Sequence, residues 1–240
     1  MEKNIFIIIP TYNEKENVQE LIEKIFSLKI EKLQVLIVDD NSPDKTGNEV
    51  EKLKLKYPSL YLIRREKKLG LGSAYIAGFK FALDKKADLI FQMDADLSHN
   101  PKEIPNFLDQ INKGFDVIVG SRKIAGGKII GWGISRHLMS FGANWCSQWI
   151  LKLKTHDLTS GFRCYRREVL ETINLEKIKS NGYSFLEETI YFCERKNFKI
   201  KEIPIIFLDR QKGKSKLSHK EIINFFLTIF RLKIKELFLN

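Results

Sequence analysis

The chain has 240 residues, of which 43% are hydrophobic and 30% charged, and its formal net charge at pH 7 is +11. This length and apolar content suffice for one domain with a sizeable core, and no Pro/Gly/Ser-rich linker or internal repeat divides the chain. The positive charge suits an anionic partner. Without a recognition-helix signature, zinc-ligand spacing or RNP-like aromatic strand, we expect a membrane surface rather than nucleic acid.

The N-terminal third alternates apolar runs rich in β-branched residues with amphipathic segments. Strands are predicted at 5–10, 33–40 and 60–65 and in the apolar run before Asp94, and helices at 17–28, 46–57 and 72–84. This alternation predicts an α/β fold with a parallel sheet. The N-terminus leads directly into a strand, so we expect no signal peptide and residence on the cytosolic side.

Polar motifs follow three of the predicted strands: PTYNE at 10–14, VDDNSPD at 38–44 and DADLSH at 94–99. One such motif is explained by turns and helix caps, but three together are not. Ligands of parallel sheets bind beyond the carboxyl ends of the strands, so we expect these side chains to converge on one edge.

Asp94 and Asp96 are the most informative pair. An i, i+2 pair after a strand can aim both carboxylates to one side, making an oxygen site for Mg²⁺ or Mn²⁺ with room for water and substrate phosphates. Such a pair alone is also common in surface turns, so its context decides.

Glycines and cysteines exclude other chemistries. Gly70 and Gly72 lie at a loop-to-helix junction, but the next glycine is displaced to Gly78, which disfavours NAD binding. The cysteines lack metal-ligand spacing and are predicted to be reduced core residues. They are Cys146, Cys164 and Cys193.

Candidate cations are found in the second half of the chain. Arg122 follows an apolar strand at 117–119, Arg136 and Ser140 lie four apart on a predicted helix, and Arg210 and Lys216 flank a basic loop. Several cations directed at one cleft would be costly without anions to neutralise them. Phosphate-bearing substrates would supply those anions.

The C-terminal segment is apolar but short. Its longest weakly polar run, 222–230, is far below the ~20 residues needed to span a bilayer. Beyond it Arg231, Lys233 and Lys235 alternate with apolar residues. Two interpretations stay open: an interfacial membrane helix, or a terminal helix that packs on the domain.

The three strand-end motifs resemble those of the dolichol-phosphate mannosyltransferases. Further stretches share this resemblance: KKLGLGSAYIAGF at 68–79, GSR at 120–122, the run 127–144, DLTSGFRCY at 157–165 and DRQKGKSK at 209–216. These are inverting family-2 glycosyltransferases, also called polyprenol monophosphomannose synthases. The resemblance implies a single GT-A (nucleotide-sugar-binding) domain over 1–220 and a C-terminal amphipathic helix over 221–240, without the membrane spans that some relatives carry.

The resemblance also assigns site residues. Asp94, Asp96 and Arg122 would be catalytic. The nucleotide sugar would contact Pro10, Tyr12, Glu14, Val38, Asp40, Ala95, Arg122, Arg210 and Lys216. The acceptor phosphate would contact Arg122, Arg136, Ser140 and Arg210. The metal would be held by Asp94, Asp96 and Ser98; many relatives have Gln in place of Ser98, and His99 is an alternative ligand or a structural group.

The implied reaction transfers mannose from GDP-mannose to dolichyl or another polyprenyl phosphate with inversion, giving a donor for protein glycosylation. The implied cofactor is Mg²⁺ or Mn²⁺. The enzyme would be peripheral on the cytosolic face of a membrane, with a possible anchoring protein and no nucleic-acid partner. The alternatives are a transferase that uses UDP-glucose or another sugar nucleotide, a haloacid-dehalogenase-like phosphatase, and a non-enzymatic membrane scaffold. Ser98 breaks the DxT/V pattern that such a phosphatase would need.

Overall fold

The computed structural model describes residues 3–182, 184–210 and 219–238, so Lys216 lies outside the described residues. The strands are β1 Ile5–Thr11, β2 Leu33–Asp39, β3 Leu60–Arg64, β4 Leu89–Gln92, β5 Val117–Ser121, β6 Lys128–Ile130, β7 Arg163–Arg166, β8 Ile200–Pro204 and β9 Ile206–Leu208. The helices are α1 Lys15–Phe26, α2 Thr46–Lys54, α3 Leu71–Asp84, α4 Ile104–Asn112, α5 Ile134–Leu151, α6 Arg167–Thr172, α7 Ser184–Arg195 and α8 His219–Phe238.

In the described part of the chain, seven strands form one sheet in the order β3-β2-β1-β4-β7-β5-β8. Strands β3, β2, β1 and β4 are parallel, as are β5 and β8, whereas β7 is antiparallel to both of its neighbours. Strands β6 and β9 form a separate parallel pair. The predicted α/β fold with a mostly parallel sheet is confirmed.

Helices cover both faces of the sheet. Phe6 and Ile8 of β1 belong to one core cluster, while Ile7 and Ile9 belong to the cluster on the opposite face. Both faces being buried explains why this strand is an unbroken apolar run rather than an alternating one. Helix α3 approaches the sheet so closely that a Cβ at Gly78 would collide with Cγ2 of Ile8.

The predicted helices are close to those observed. The segments 17–28, 46–57 and 72–84 correspond to α1, α2 and α3, whose ends differ from the prediction by up to three residues. The cysteines are free, Cys164 and Cys193 being buried and Cys146 half-buried.

Helix α8 has apolar residues on two opposite sides. Phe225, Ile229 and Leu232 are buried in the core, against helices α5 and α7. The opposite side of the helix exposes large apolar residues, which are Ile223, Phe226, Leu227, Phe230 and Ile234. Among the described residues, no helix has both the length and the apolar character needed to cross a bilayer.

Helix α7 carries an unusual buried carboxyl group. The side chain of Glu187 is fully buried, and neither of its carboxyl oxygens has a hydrogen-bond partner among the described residues. Burial raises the pKa of Glu187 to about 8; the nearby Ser147 hydroxyl opposes this rise, and the neighbouring Glu188 adds to it. Such a group binds a proton more tightly in the folded than in the unfolded chain.

We expect Glu187→Gln to stabilise the protein near neutral pH. The wild-type chain loses stability as the pH rises from the ordinary carboxyl pKa of 4.5 towards about 8, because folding keeps Glu187 protonated. The gain should be absent near pH 4.5 and reach about 3 kcal/mol at pH 7. Urea denaturation at both pH values measures it.

The matched control is Glu176→Gln, at an exposed carboxylate that should change stability by less than about 0.5 kcal/mol at either pH. A Glu187→Gln gain that does not depend on pH would contradict the expectation.

Candidate active site

A cleft of about 880 Å³ opens beyond the carboxyl ends of β1, β4 and β5. It brings together most of the predicted site residues, which are Pro10, Glu14, Asp94, Ala95, Asp96, Arg122, Arg136, Ser140 and Arg210. Residues of the PTYNE and DADLSH motifs meet here because β1 and β4 are adjacent and parallel, whereas no residue of VDDNSPD lines the cleft in the described part of the chain.

Asp94 follows β4 and faces the cleft with a third of its side chain exposed. The hydroxyl of Tyr75 donates to its Oδ1 at 3.3 Å. Burial raises the pKa of Asp94, and the charge of Asp96 raises it further. A carboxylate with this cost of ionisation favours a bound cation.

Asp96 is held from two sides. Its Oδ1 accepts hydrogen bonds from the backbone N–H of Ser98 at 3.2 Å and the Ser98 hydroxyl at 2.5 Å. Its Oδ2 lies 3.2 Å from Nη2 of Arg210. Ser98 is buried and its hydroxyl proton is committed to Asp96, so in this structure it orients the carboxylate.

His99 is a buried structural neighbour of the acidic pair. Its Nδ1 accepts the backbone N–H of Asp94 at 3.2 Å, and its ring stacks on Phe162. Burial lowers its pKa, which favours the neutral ring with the proton on Nε2. This arrangement supports the structural interpretation of His99 over the ligand one.

The acidic pair fits a hard divalent cation. Carboxylate oxygens are the ligands that Mg²⁺ and Mn²⁺ prefer, and ionisation of Asp94 beside Asp96 is already disfavoured without a countercharge. In the described ranges no cluster of three or more His, Cys, Asp or Glu side chains could enclose a metal ion. A metal here would take its other ligands from substrate oxygens, water or a neighbouring hydroxyl such as that of Ser98.

Arg122 is fixed by a buried ion pair. Its Nε and Nη2 donate to the two carboxylate oxygens of Asp157, each at 2.7 Å, and its backbone N–H donates at 2.9 Å. Nη2 also donates to the Thr159 hydroxyl. Burial alone would raise the pKa of Asp157, but the charge and hydrogen bonds of Arg122 outweigh it and lower the pKa.

Trp132 links two arginines of the cleft. The guanidinium of Arg136 lies 3.9 Å from the centroid of a Trp132 ring, and that of Arg122 lies 5.5 Å away. Arg136 also donates to Asp209 at 2.9 Å. One turn further along α5, Ser140 has a buried hydroxyl with no hydrogen-bond partner in the described part of the chain.

The acidic motifs of β1 and β2 organise the far side of the cleft. Glu14 lines the cleft, and its Oε2 accepts a hydrogen bond from Asn17. Tyr12 is half-buried with the Lys68 ammonium 3.9 Å from its ring centroid. The side chain of Val38 is fully buried in the core, so only its backbone could meet a ligand.

Asp40 acts on the glycine-containing loop in this structure. It pairs with Arg65 at 2.6 Å and accepts the backbone N–H groups of Leu69 and Gly70. Gly70 has a φ of 96°, which favours glycine. Asn181 holds the loop from the other side by donating to the carbonyl of Leu69.

Several cleft residues were not predicted from the sequence. Asp157 lies within the quoted DLTSGFRCY motif, and its carboxylate next to Thr and Ser was the available signal. Trp132 and Asn181 gave no local signal, because only the fold brings them to the cleft.

The fold is that of the GT-A glycosyltransferases. Residues 6–173 match the family described as Glycosyl transferase family 2, and the chain belongs to this family. It is therefore a glycosyltransferase, and the resemblance drawn from its motifs is confirmed.

Curated relatives carry related names. The chain is 39% identical over 217 residues to the polyprenol monophosphomannose synthase of Mycolicibacterium smegmatis, covering 90% of this chain and 82% of that protein. It is 37% identical to the undecaprenyl-phosphate mannosyltransferase of Micrococcus luteus, covering 89% and 87%. It is 40% identical to the dolichol-phosphate mannosyltransferase of Pyrococcus furiosus, covering 95% of this chain and 63% of that protein.

Solved structures share the fold. The mannosyltransferase PcManGT from Pyrobaculum calidifontis, in complex with GDP-Man and Mn²⁺, matches 98% of this chain and 65% of its own with a TM-score of 0.65 and 15% identity. Glucosyl-3-phosphoglycerate synthase from Mycobacterium tuberculosis, with Mn²⁺, UDP-glucose and phosphoglyceric acid, matches 95% and 80% with a TM-score of 0.70 and 16% identity.

We expect Asp157→Asn to destabilise the fold by about 3–5 kcal/mol at pH 7, because it leaves the buried Arg122 without its countercharge. Pairing lowers the pKa of Asp157, so its contribution is present above the ordinary value of 3.8 and is lost as the pH falls through the folded value. The gap between wild type and variant should therefore narrow towards pH 3. Urea denaturation at several pH values tests this.

Glu171→Gln is the control, since it breaks the more exposed pair with Arg167 and should cost less than about 1 kcal/mol. Equal costs for the two variants would show that Arg122 does not depend on Asp157.

Proposed function

We propose that the protein transfers mannose from GDP-mannose to dolichyl or another polyprenyl phosphate, with inversion, and that the product serves as a mannose donor in protein glycosylation. The observation that carries this is one cleft containing an acidic pair, three arginines and an apolar wall. The arginines are Arg122, Arg136 and Arg210. The names of the curated relatives support the acceptor and the sugar.

The sugar nucleotide is proposed to lie between the acidic pair and β1. Pro10 and Glu14 line this side, and the carboxylate of Glu14 can accept hydrogen bonds from ribose hydroxyls or from a guanine edge. Tyr12 offers an aromatic face nearby. Ala95 would place its backbone near the sugar. Asp40 would act indirectly, by fixing the loop at Leu69 and Gly70, and Val38 would contact the sugar nucleotide only through its backbone.

The acceptor phosphate is proposed to bind on α5. Arg136 and the unpartnered hydroxyl of Ser140 lie one turn apart and both line the cleft, so a phosphate between them would satisfy the buried hydroxyl. The polyprenyl chain would lie along the apolar residues of the same wall. These include Met139, Ala143, Phe225 and Phe226.

The mechanism needs no protein base. A phosphate monoester, with a second pKa of ~6, is largely ionised near neutrality, so its oxygen can attack the sugar C1 directly. Arg122 and Arg136 would hold the attacking phosphate in line with the departing GDP, and the polyprenyl chain lying on the apolar wall would help to exclude the water that would hydrolyse the donor. A divalent cation held by Asp94 and Asp96, with Ser98 as a further candidate ligand, would offset charge on the leaving diphosphate.

Arg210 must exchange partners during this cycle. In the structure its guanidinium pairs with Asp96 at 3.2 Å. Diphosphate oxygens are stronger competitors for a guanidinium, so donor binding would draw Arg210 from the carboxylate to the phosphate. This exchange would leave Asp96 available to help hold the metal. Lys216, proposed to act with Arg210, lies outside the described residues.

Helices α5 and α8 are proposed to form a peripheral membrane surface on the cytosolic face. Helix α5 exposes Ile134, Leu138, Met139, Phe141, Trp145 and Trp149, in addition to the exposed apolar residues of α8. Arg231, Lys233 and Lys235 can meet anionic headgroups. Phe225 does not belong to this surface, because it is 6% exposed and packs in the core.

We keep the division into a catalytic region 1–220 and a C-terminal helix 221–240 as a proposal about roles. Because part of α8 is buried in the core, its deletion would disturb the fold as well as any membrane contact. Point substitutions on the exposed face therefore test the membrane role better than truncation.

The function is tested by measuring GDP release and mannolipid formation from GDP-mannose, with and without a short-chain polyprenyl phosphate and a divalent cation. We expect both products only when all three are present. Asp96→Asn should lower turnover by at least about a hundredfold, because the diphosphate loses electrostatic stabilisation. UDP-glucose serves as the competing donor, and its preferred use would overturn the assignment of mannose.

Variants separate the acceptor from the donor. Ser140→Ala and Arg136→Gln should raise the KM for the polyprenyl phosphate by about tenfold or more while leaving the KM for GDP-mannose nearly unchanged. Equal increases in both constants would contradict the assignment of this wall to the acceptor. GDP release at the same rate with and without the polyprenyl phosphate would indicate a hydrolase. The absence of GDP release under all conditions would indicate a scaffold.

The membrane surface predicts a loss of vesicle binding in Leu138→Ser/Trp149→Ser. Both side chains are well exposed, at 66% and 73%, so the fold should survive. Binding to vesicles containing an anionic phospholipid should weaken by about tenfold or more, since two apolar insertions are lost, and should weaken further with salt. Vesicle co-sedimentation measures both effects.

Leu55→Ser is the matched control, because Leu55 is 91% exposed but follows α2. Wild-type binding by the α5 variant would exclude this surface, and a membrane anchor would then have to be sought in a partner protein.

A further inference from the structure

A second, smaller cavity lies between the start of α7 and the middle of α8. Its volume is about 270 Å³, less than a third of the catalytic cleft. Polar and basic side chains dominate its lining, which includes Lys179, Ser180, Ser184, Thr228 and Arg231. None of these five lines the catalytic cleft, although Asn181 and Asn224 line both spaces.

Ser184 is the most telling residue of this cavity. It is 1% exposed, and its hydroxyl has no hydrogen-bond partner among the described residues. Buried hydroxyls are nearly always satisfied, so this one calls for a ligand. Ser184 is also the first residue of α7, a 12-residue helix, and the N–H groups at a helix start attract anions.

The charges of the cavity favour an anion as well. Arg231 donates through Nη2 to the Ser180 hydroxyl at 2.9 Å and lies 2.8 Å from Glu188, whose Oε2 also accepts the Ser180 backbone N–H. The residues that line the cavity include two cations, Arg231 and the exposed Lys179, and, in the described part of the chain, no carboxylate. The remaining N–H groups of the guanidinium, the ammonium and the Ser184 hydroxyl are all donors.

The adjoining hydroxyls complete the donor set. The hydroxyls of Ser180 and Thr228 lie 3.1 Å apart and share one hydrogen bond, in which either can be the donor, so the proton of the other hydroxyl can turn to a ligand. A tetrahedral oxyanion matches a small pocket of hydroxyl, guanidinium and ammonium donors, whereas a metal cation would be repelled by the two bases.

We propose that this cavity is a second anion site that binds a phosphate group, either the headgroup phosphate of a lipid or free phosphate. Leu227 lines the cavity and is also 60% exposed on the apolar side of α8, so the cavity borders the surface that a lipid would meet. The site is separate from the residues assigned to the donor and the acceptor, and it does not depend on the transfer reaction.

Amide NMR of the full chain titrated with inorganic phosphate tests the site, with chloride at matched ionic strength as the reference. We expect saturable shifts at Ser180, Ser184 and Thr228. Signals of Ala95 and Arg136 report the catalytic cleft, so binding there is recognised independently. Lys179→Gln and Ser184→Ala should each weaken binding at the cavity by about tenfold, because each removes a hydrogen bond to the charged ligand.

Lys196→Gln is the matched control, since it removes the same charge from an exposed position just after the end of α7, outside the cavity, and should leave the affinity unchanged. The absence of saturable shifts, or an equal loss in Lys196→Gln, overturns the proposal. A soluble short-chain phosphatidylglycerol identifies the source. If this lipid binds more tightly than inorganic phosphate, and Lys179→Gln abolishes its binding, the site is assigned to a lipid headgroup. Equal affinities of the lipid and inorganic phosphate assign the site to free phosphate.

Discussion

The buried ion pair between Arg122 and Asp157 is the interaction on which the cleft depends. The Nε and Nη2 groups of the guanidinium donate to the two oxygens of one carboxylate, so the arginine is held in one orientation. Its outer face then lies against Trp132 and Phe207, at 5.5 and 5.2 Å from their ring centroids. Trp132 in turn supports Arg136. One rigid contact thus positions two cations from different parts of the chain.

The charges of the cleft are already paired before any substrate arrives. Arguing from the sequence, we expected separate cations that only substrate phosphates could neutralise. The structure instead supplies an internal carboxylate for each arginine: Asp157 for Arg122, Asp209 for Arg136 and Asp96 for Arg210. Under the proposed function, a substrate phosphate would therefore replace a carboxylate as the partner of an arginine, rather than bind to an unpaired cation. The more exposed pairs of Arg136 and Arg210 can exchange at lower cost than the buried pair of Arg122, which suits it for a fixed role.

The features that could be predicted depend on local sequence patterns. Those that could not be predicted depend on contacts between distant parts of the chain. Strands β1 and β2 were evident because both of their faces are buried, and the positions of Arg136 and Ser140 followed from helical periodicity. The antiparallel insertion of β7 between β4 and β5 has no local signature, since its register is set by strands more than 40 residues away. The ion pair of Asp157 has the same origin. The burial of Glu187 could not be predicted from the hydrophobic pattern, because a carboxyl group here occupies a core position.

Helices α5 and α8 unite the chemistry of the cleft with the exposed apolar surface. Met139 and Phe226 line the cleft and are also 49% and 40% exposed, so the apolar wall continues from the site to the outside. Under the proposed function, a lipid phosphate could bring its headgroup to Arg136 while its chain stays on apolar surface throughout. Carrying an isoprenoid through water would cost about 0.8 kcal/mol for each exposed methylene. A continuous wall removes that barrier, which explains how a domain with no spanning helix among its described residues could act on an acceptor that remains in the bilayer.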